Sequence, residues 1–207
     1  MKITTQYKNH WENIYESKDE KSLSWFQKDV SPSINLIKKY INKNHKNFID
    51  IGAGTSRLVD SIIKIRNIKK ISLLDISSKA LSINKKRLPQ VYEINYITSE
   101  ITQWEHDNIY DVWHDRAVFH FILSKDLINK YLSILDQSTK SGSIVIIGTF
   151  ALDGPEKCSG LEIKKYSSNM LDKILGYKFK LLESVDQNHY TPIKKLQKFS
   201  FSVFKKL

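Results

Sequence analysis

Apolar residues fall into short blocks along the chain, and the spacing inside the blocks switches between that of a strand and that of a helix. The run 47–52, Asn-Phe-Ile-Asp-Ile-Gly, is apolar and closes on glycine, which predicts a buried strand. Leu58, Val59, Ile62 and Ile63 recur at helical spacing. Ile71-Ser72-Leu73-Leu74, inside 70–75, predicts a second strand. A helix capped by Ser77 or Ser78 follows, and it must stop before Pro89, whose ring has no place in a helix interior. Segments 92–97 and 110–114 predict the third and fourth strands. Apolar positions 127, 128, 131, 132 and 135 predict a helix over 126–135. After Gly142 the unbroken run 143–148, Ser-Ile-Val-Ile-Ile-Gly, belongs in the middle of a sheet.

Strands that alternate with helices in this way predict parallel βαβ units. The pattern changes near the C-terminus, where 179–185 and 198–204 read as strands with little room for a helix between them. Two amphipathic segments, about 5–17 and 32–43, precede the alternating part. The expected fold class is α/β, a doubly wound, mostly parallel seven-stranded sheet with an antiparallel C-terminal strand pair and added N-terminal helices.

At 207 residues, 41% of them hydrophobic and 27% charged, the chain fits one domain and neither a disordered chain nor a membrane bundle. Its apolar runs fall short of the roughly 20 residues that span a bilayer. The N-terminus lacks the apolar centre of a secretory signal. The single cysteine, Cys158, permits no internal disulfide and no multi-cysteine zinc site, and the histidines are scattered without ligand spacing. The expectation is a soluble cytoplasmic protein with no metal and no membrane partner. A net charge of +11 raises the question of nucleic acid. The lysines, however, are spread in pairs such as Lys38-Lys39, Lys85-Lys86 and Lys194-Lys195, without a basic arm, so a solvated surface is the preferred reading and an acidic partner the second.

Candidate chemistry sits on the first strand-to-helix turn, Asp50-Ile51-Gly52-Ala53-Gly54-Thr55-Ser56. In doubly wound sheets ligands bind beyond the carboxyl ends of the strands. Gly52 and Gly54 allow a tight turn and close approach of a ligand to the backbone. Asp75, at the end of the second strand, can accept hydrogen bonds from both hydroxyls of a ribose. A dinucleotide fingerprint would need a third small residue where Arg57 stands, and no Gly-Lys-Ser/Thr phosphate loop occurs. Asp50 would repel a pyrophosphate but could organise an ammonium group. The residues therefore favour a nucleoside bearing an amino acid, S-adenosylmethionine, over a tight turn that holds no ligand.

These residues resemble the first two motifs of class I S-adenosylmethionine-dependent methyltransferases, with Ser56 in place of the common third glycine and Leu73-Leu74-Asp75-Ile76-Ser77 as the acidic second motif. The chain is similar in particular to a bacterial branch related to the thiopurine-methyltransferase-like proteins. The likeness rests on His10-Trp11-Glu12-Asn13-Ile14-Tyr15, Ser24-Trp25-Phe26-Gln27, the stretch from Tyr110 to Phe121, the loop from Gly148 to Leu161, and His189-Tyr190-Thr191-Pro192 followed by Gln197.

The resemblance implies the Rossmann-like methyltransferase fold over 1–207, with 1–45 as a helical lid, 46–150 as the cofactor-binding core, and 151–207 as substrate-side loop and terminal strands. It implies that Asp50, Gly52, Gly54 and Ser56 border the methionine part of the cofactor, that Asp75 binds ribose, and that Glu100 faces the adenine amino group in place of the usual Asp. Ile76 and Ile101 would flank the adenine ring, and Trp25 with Phe26 would close over the site. Asp115 matches the position facing the transferring methyl group. After transfer the product would be S-adenosyl-L-homocysteine.

Candidate bases are His114, Asp115 and His120, with His120 read as a packed structural histidine between two phenylalanines. Cys158 lacks any nameable activating neighbour. The expected acceptor is a nucleophilic N, O or S atom of a small molecule, because the chain carries no added recognition domain. A protein lysine is the alternative, as in a related eukaryotic branch. Nucleic acid ranks below both, since His114-Asp115-Arg116-Ala117 stands where an Asn/Asp-Pro-Pro-Tyr signature would be. Oligomeric state is not encoded in any of these patterns.

Overall fold

The computed structural model describes residues 2–106 and 108–207. Two helices lead the chain, α1 (Lys2–Ser17) and α2 (Ser31–Tyr40), with Pro32 in the first turn of α2, where its missing N–H costs nothing. The alternating part follows as β1 (Asn47–Ile51), α3 (Leu58–Ile62), β2 (Lys70–Asp75), α4 (Ser78–Arg87), β3 (Ile94–Thr98), β4 (Tyr110–Arg116), α5 (Lys125–Gln137) and β5 (Thr139–Phe150). A short ribbon, β6 (Lys157–Cys158) and β7 (Leu161–Glu162), then α6 (Ser168–Leu175), lead to the long strands β8 (Phe179–Tyr190) and β9 (Leu196–Lys206).

Seven strands form one sheet in the order β3-β2-β1-β4-β5-β9-β8. The first five run parallel, whereas β9 pairs antiparallel with β5 and with β8. The strand order reverses between β1 and β4, which opens a crevice at their carboxyl ends. Helices α2 and α3 cover one face through Ile34, Ile37, Leu58, Val59 and Ile62, packed on Phe48, Val112, Ile144 and Ile146. Helices α5 and α6 cover the other through Tyr131, Leu135, Leu171 and Leu175, packed on Ile49, Ile51, Trp113 and Val145. Strand residues alternate between the two faces with period two.

The fold class agrees with the sequence reading, and several boundaries move. The fourth strand continues past His114 to Arg116, and β8 runs on to Tyr190 through the polar stretch Asp186-Gln187-Asn188, where pairing with β9 rather than side-chain pattern keeps the chain extended. Helix α6 and the β6–β7 ribbon lie in a segment read only as loop. Ser77 caps α4 by accepting the Ala80 amide at 3.1 Å, and α4 ends before Pro89 as the sequence requires. Among the described residues no helix is long and apolar enough to cross a membrane.

Candidate active site

The β1–α3 turn depends on glycine twice. Gly52 and Gly54 have φ of 63° and 49°, a region that L side chains rarely adopt. A Cβ on Gly52 would stand 2.1 Å from Val118 Cγ2, and one on Gly54 would stand 2.5 Å from the Tyr15 hydroxyl. The turn is held from outside as well: Asn84 Nδ2 donates to the Gly54 carbonyl at 2.6 Å, and Arg57 pairs with Glu20.

Asp75 ties the turn to the end of β2. One carboxylate oxygen accepts the Gly54 amide at 2.7 Å, and the other accepts the Ser77 amide at 2.8 Å. Each oxygen can accept a second hydrogen bond, so the group retains acceptor sites for ligand hydroxyls. Burial pushes its pKa up to about 6, against the opposing pull of those two amides, and Asp50 and Glu12 add to the rise.

A cavity of about 210 Å³ opens in front of this turn. Asp50, Gly52, Gly54, Ser56, Asp75, Ile76, Glu100 and Ile101 all line it, as does His114. The strand-end residues therefore meet in one cavity. Glu100 accepts a hydrogen bond from the Thr102 hydroxyl.

The N-terminal segment forms the roof. Tyr7, Trp11, Tyr15, Trp25, Phe26 and Gln27 line the cavity from that side. Trp11 meets Trp25 edge-on with ring centroids 5.5 Å apart and Phe121 at 5.4 Å, and Tyr15 meets Trp25 at 6.0 Å. Helix α1 docks through Glu12, which accepts from Ser77 Oγ (2.7 Å), Ser78 N (2.8 Å), Ser78 Oγ (2.8 Å) and Lys79 N (3.1 Å). It thus places a carboxylate at the positive end of α4. Trp11 and Tyr15 escape a sequence reading as site residues because they sit on an ordinary amphipathic pattern. Their one signal is aromatic residues four apart on a helix whose other face is charged.

Of the candidate bases, Asp115 is placed differently from the expectation. Asp115 lies outside the cavity. Because β4 extends through Arg116 and pairs Asp50 with His114, the period of two turns His114 to the cavity face and Asp115, opposite Ile51 in neighbour register on the strand pair, to the α5 face. There it is fully buried, accepting from the amides of Val118 (3.0 Å) and Phe119 (3.3 Å) and from the Tyr131 hydroxyl (2.7 Å). Burial pushes its pKa up to about 6. It pins the turn after β4 rather than facing a ligand. His114 borders the cavity with both ring nitrogens engaged: Nδ1 is 2.7 Å from Asp50 Oδ1, and Nε2 is 2.9 Å from Ser33 Oγ.

His120 is a packed histidine, as the sequence reading holds. It is fully buried beside Phe121 and Phe150, and burial lowers its pKa to about 3. Cys158 lines the cavity, with burial raising its pKa to about 11, so the thiol stays protonated at neutral pH. His189 reaches the roof, its Nε2 donating to the Ser24 carbonyl at 2.7 Å. Among the described residues no group of three or more His, Cys, Asp or Glu side chains could hold a metal ion.

Comparison with known proteins follows the same lines. Residues 42–196 match the family described as methyltransferase domain. Malonyl-[acyl-carrier protein] O-methyltransferase 2 of Ilyobacter polytropus is 25% identical over 158 residues, which cover 70% of this chain and 60% of that protein. The chain thus matches less than two thirds of that relative's length. A solved S-adenosylmethionine-dependent methyltransferase from Anabaena variabilis superposes with a TM-score of 0.76 at 12% identity, over 99% of this chain and 95% of that one. N-methyltransferase NodS from Bradyrhizobium japonicum, solved with S-adenosyl-L-homocysteine, gives a TM-score of 0.67 at 11% identity, over 95% of this chain and 98% of that one. These likenesses show the Rossmann-like methyltransferase fold.

Proposed function

Because this chain belongs to the methyltransferase-domain family, we propose that it is an S-adenosylmethionine-dependent enzyme that moves a methyl group onto a nucleophilic nitrogen, oxygen or sulfur atom of a small molecule. The observation that carries the reading is the single cavity in which the glycine turn, the Asp75 carboxylate and the Glu100 side chain meet under an aromatic roof.

The residues present fit the cofactor. Gly52 and Gly54 leave no Cβ where a ligand must approach the backbone. Asp75 keeps an acceptor site on each oxygen for the ribose hydroxyls. Ile76 and Ile101 offer apolar contact for the adenine ring, with Glu100 beside them. Asp50, oriented by His114, and Ser56 remain for the methionine end. When bound, the cofactor supplies a sulfonium-activated methyl group whose leaving group departs neutral.

The chain's own contribution is alignment and exclusion of water. Trp25 and Phe26, carried by the first 45 residues, close the cavity as a lid, and residues from 151 onward border the acceptor side through Cys158. Asp115 and His120 lie outside the cavity lining, His114 has both nitrogens occupied, and the Cys158 thiol is held protonated. This favours an acceptor that is already nucleophilic at neutral pH over one that needs its proton removed. The enclosed roof supports a small acceptor over a lysine on a folded protein. The position of Trp25, Phe26 and Gln27 in that roof supports the thiopurine-methyltransferase-like branch.

Calorimetric titration with S-adenosylmethionine and S-adenosyl-L-homocysteine tests the reading, with NAD as control and Asp75→Ala alongside. Micromolar binding of the first two, lost in the variant, is the expected outcome. A folded protein that binds neither is not a methyltransferase of this kind.

A further inference from the structure

The sheet gathers at one end lysines that are scattered in pairs along the chain. Parallel strands all start at the same end, opposite the carboxyl ends that carry the cavity. Lys46 stands just before β1, and Lys69 and Lys70 stand at the start of β2, with Lys70 in register with Asn47. Strand β8 starts from this end too, since it is antiparallel to β9 and β9 is antiparallel to β5. Lys180 of β8 is therefore opposite Lys205 of β9, which in turn is opposite Ile144 of β5. Lys46, Lys69, Lys70, Lys180 and Lys205 are all exposed. Among the described residues none of these five forms an ion pair. Asp111 and Asp136, at the same end, are already held by Lys140 and by Lys178 with Lys206. Glu93 and Glu105, exposed before β3 and β4, offset part of the charge.

Exposed apolar side chains stand at this end as well. Val91 (84% exposed) and Tyr92 precede β3, Ile109 precedes β4, and Tyr177 (87% exposed) precedes β8. From β3 to β8 the sheet is six strand spacings wide, about 29 Å. The apolar tips thus mark both edges and the middle of the sheet end, with the cations on the strands between them. The carboxylates that line the cavity, Asp50, Asp75 and Glu100, belong to the opposite end.

A nucleic-acid strand could neutralise the lysines but offers no apolar phase to Val91 or Ile109. A folded acidic protein would need apolar pockets at matching separations across the whole width. A bilayer surface rich in anionic lipid meets both features at once, because its apolar boundary accepts side chains at any point of its plane. Tyrosine suits that boundary, and a lysine stem can lie along it with the ammonium among the headgroups. We infer that the amino end of the sheet is a peripheral docking surface for a membrane that carries anionic lipid. The sequence reading expects no membrane partner. Contact from one side needs no spanning helix, and among the described residues there is none. In this pose the cavity, at the other end of the sheet, stays open to water and to a small acceptor. The docking surface does not depend on the chemistry in the cavity.

Flotation of the full chain with phosphatidylcholine vesicles, with and without phosphatidylserine and at low and high salt, tests this. At low salt at least about tenfold more protein should float with the phosphatidylserine vesicles, and most of it should be released at high salt. Lys70→Glu combined with Lys205→Glu should cut that binding about tenfold or more. Lys194→Glu combined with Lys195→Glu, in the β8–β9 turn at the far end, changes the net charge equally and should cut it less than about threefold. Tyr177→Ser should lower binding about threefold while leaving its salt dependence in place. Affinity for S-adenosyl-L-homocysteine should stay within about threefold of the parent in every variant, since these sites are distant from the cavity. Equal binding of the unaltered protein to the two kinds of vesicle, or to neither, overturns the inference without any variant. An equal loss from the two lysine pairs would trace the effect to net charge and not to this face, and overturns it too. So does binding of an oligonucleotide in place of vesicles, weakened by Lys70→Glu with Lys205→Glu, which would assign the face to nucleic acid. Failure to bind S-adenosyl-L-homocysteine counts against the methyltransferase reading alone and leaves the vesicle result standing.

Discussion

His114 Nδ1 lies 2.7 Å from Asp50 Oδ1, joining the end of β1 to the end of β4 across the crevice where the strand order reverses. Both side chains are almost wholly buried, and Ser33 of α2 closes the other ring nitrogen at 2.9 Å. His114→Phe would leave the Asp50 carboxylate buried without its partner, a loss on the order of 3 kcal/mol. Ser33→Ala removes one neutral hydrogen bond and should cost about 1 kcal/mol. Urea unfolding of the two variants measures the difference. Equal losses would mean that the pair is no tighter than an ordinary contact.

The glycine turn predicts a contrast between sites with and without neighbours. Gly52→Ala meets both the strained φ and Val118, and it should abolish S-adenosyl-L-homocysteine binding or prevent folding. Gly142→Ala has φ of 91° but nothing within 4 Å, so it should lose only about 1–2 kcal/mol of stability and bind normally. Calorimetry on the two proteins tests this, and unimpaired binding by Gly52→Ala would remove the turn from the site.

Acid should weaken the site through Asp75. Its pKa of about 6 means that it is charged at pH 7.5 and takes up a proton as the pH falls through 6, losing acceptor strength for the ribose hydroxyls. Affinity for S-adenosyl-L-homocysteine should therefore fall below pH 6, by no more than about tenfold per pH unit for one group. Asp75→Asn should lower the affinity roughly tenfold or more at pH 7.5 and flatten that dependence. A profile from pH 4.5 to 7.5 that keeps its slope in the variant would assign the effect elsewhere.

Asp115 gives the opposite kind of signature. Its pKa is about 6 when folded and 3.8 by reference, so the folded state holds the proton more tightly. Its contribution to stability is full below pH 3.8 and is lost as the pH rises through 6. Asp115→Asn should remove that slope from the unfolding profile while S-adenosyl-L-homocysteine affinity stays within about threefold. Asp115→Ala strands the Val118 and Phe119 amides and the Tyr131 hydroxyl, and should cost about 3 kcal/mol or more. A large drop in affinity for folded Asp115→Asn would restore Asp115 to the binding site.

Glu12 is the latch of the roof. Glu12→Ala removes the acceptor for Ser77, Ser78 and Lys79 and should free α1 from α4. Faster proteolysis within 18–29, suppressed by S-adenosyl-L-homocysteine, and a higher dissociation rate for that ligand are the expected outcomes. Cleavage as slow as in the parent would show that the aromatic contacts hold the roof alone.

The alternation of apolar blocks was enough to read the doubly wound sheet and the antiparallel pair, because strand and helix periods are local and each must bury one face. The Gly52–Gly54 turn and Asp75 were legible for a similar reason: a tight turn and a strand-end acid leave their mark within a few residues. What a local pattern does not contain is which neighbour shares a cavity. One extra pair of strand residues, through Arg116, decided that His114 faces the site and Asp115 faces α5. The docking of Glu12 on α4 carried Trp11 and Tyr15 over the glycine turn from more than 35 positions away in the chain. The packing of Arg116 on Phe199 enclosed a cation that, read along the sequence, is one basic residue among 33. Segments far apart in sequence acquire these relations only when the sheet forms, since burial and charge pairing depend on distance in space and not along the chain.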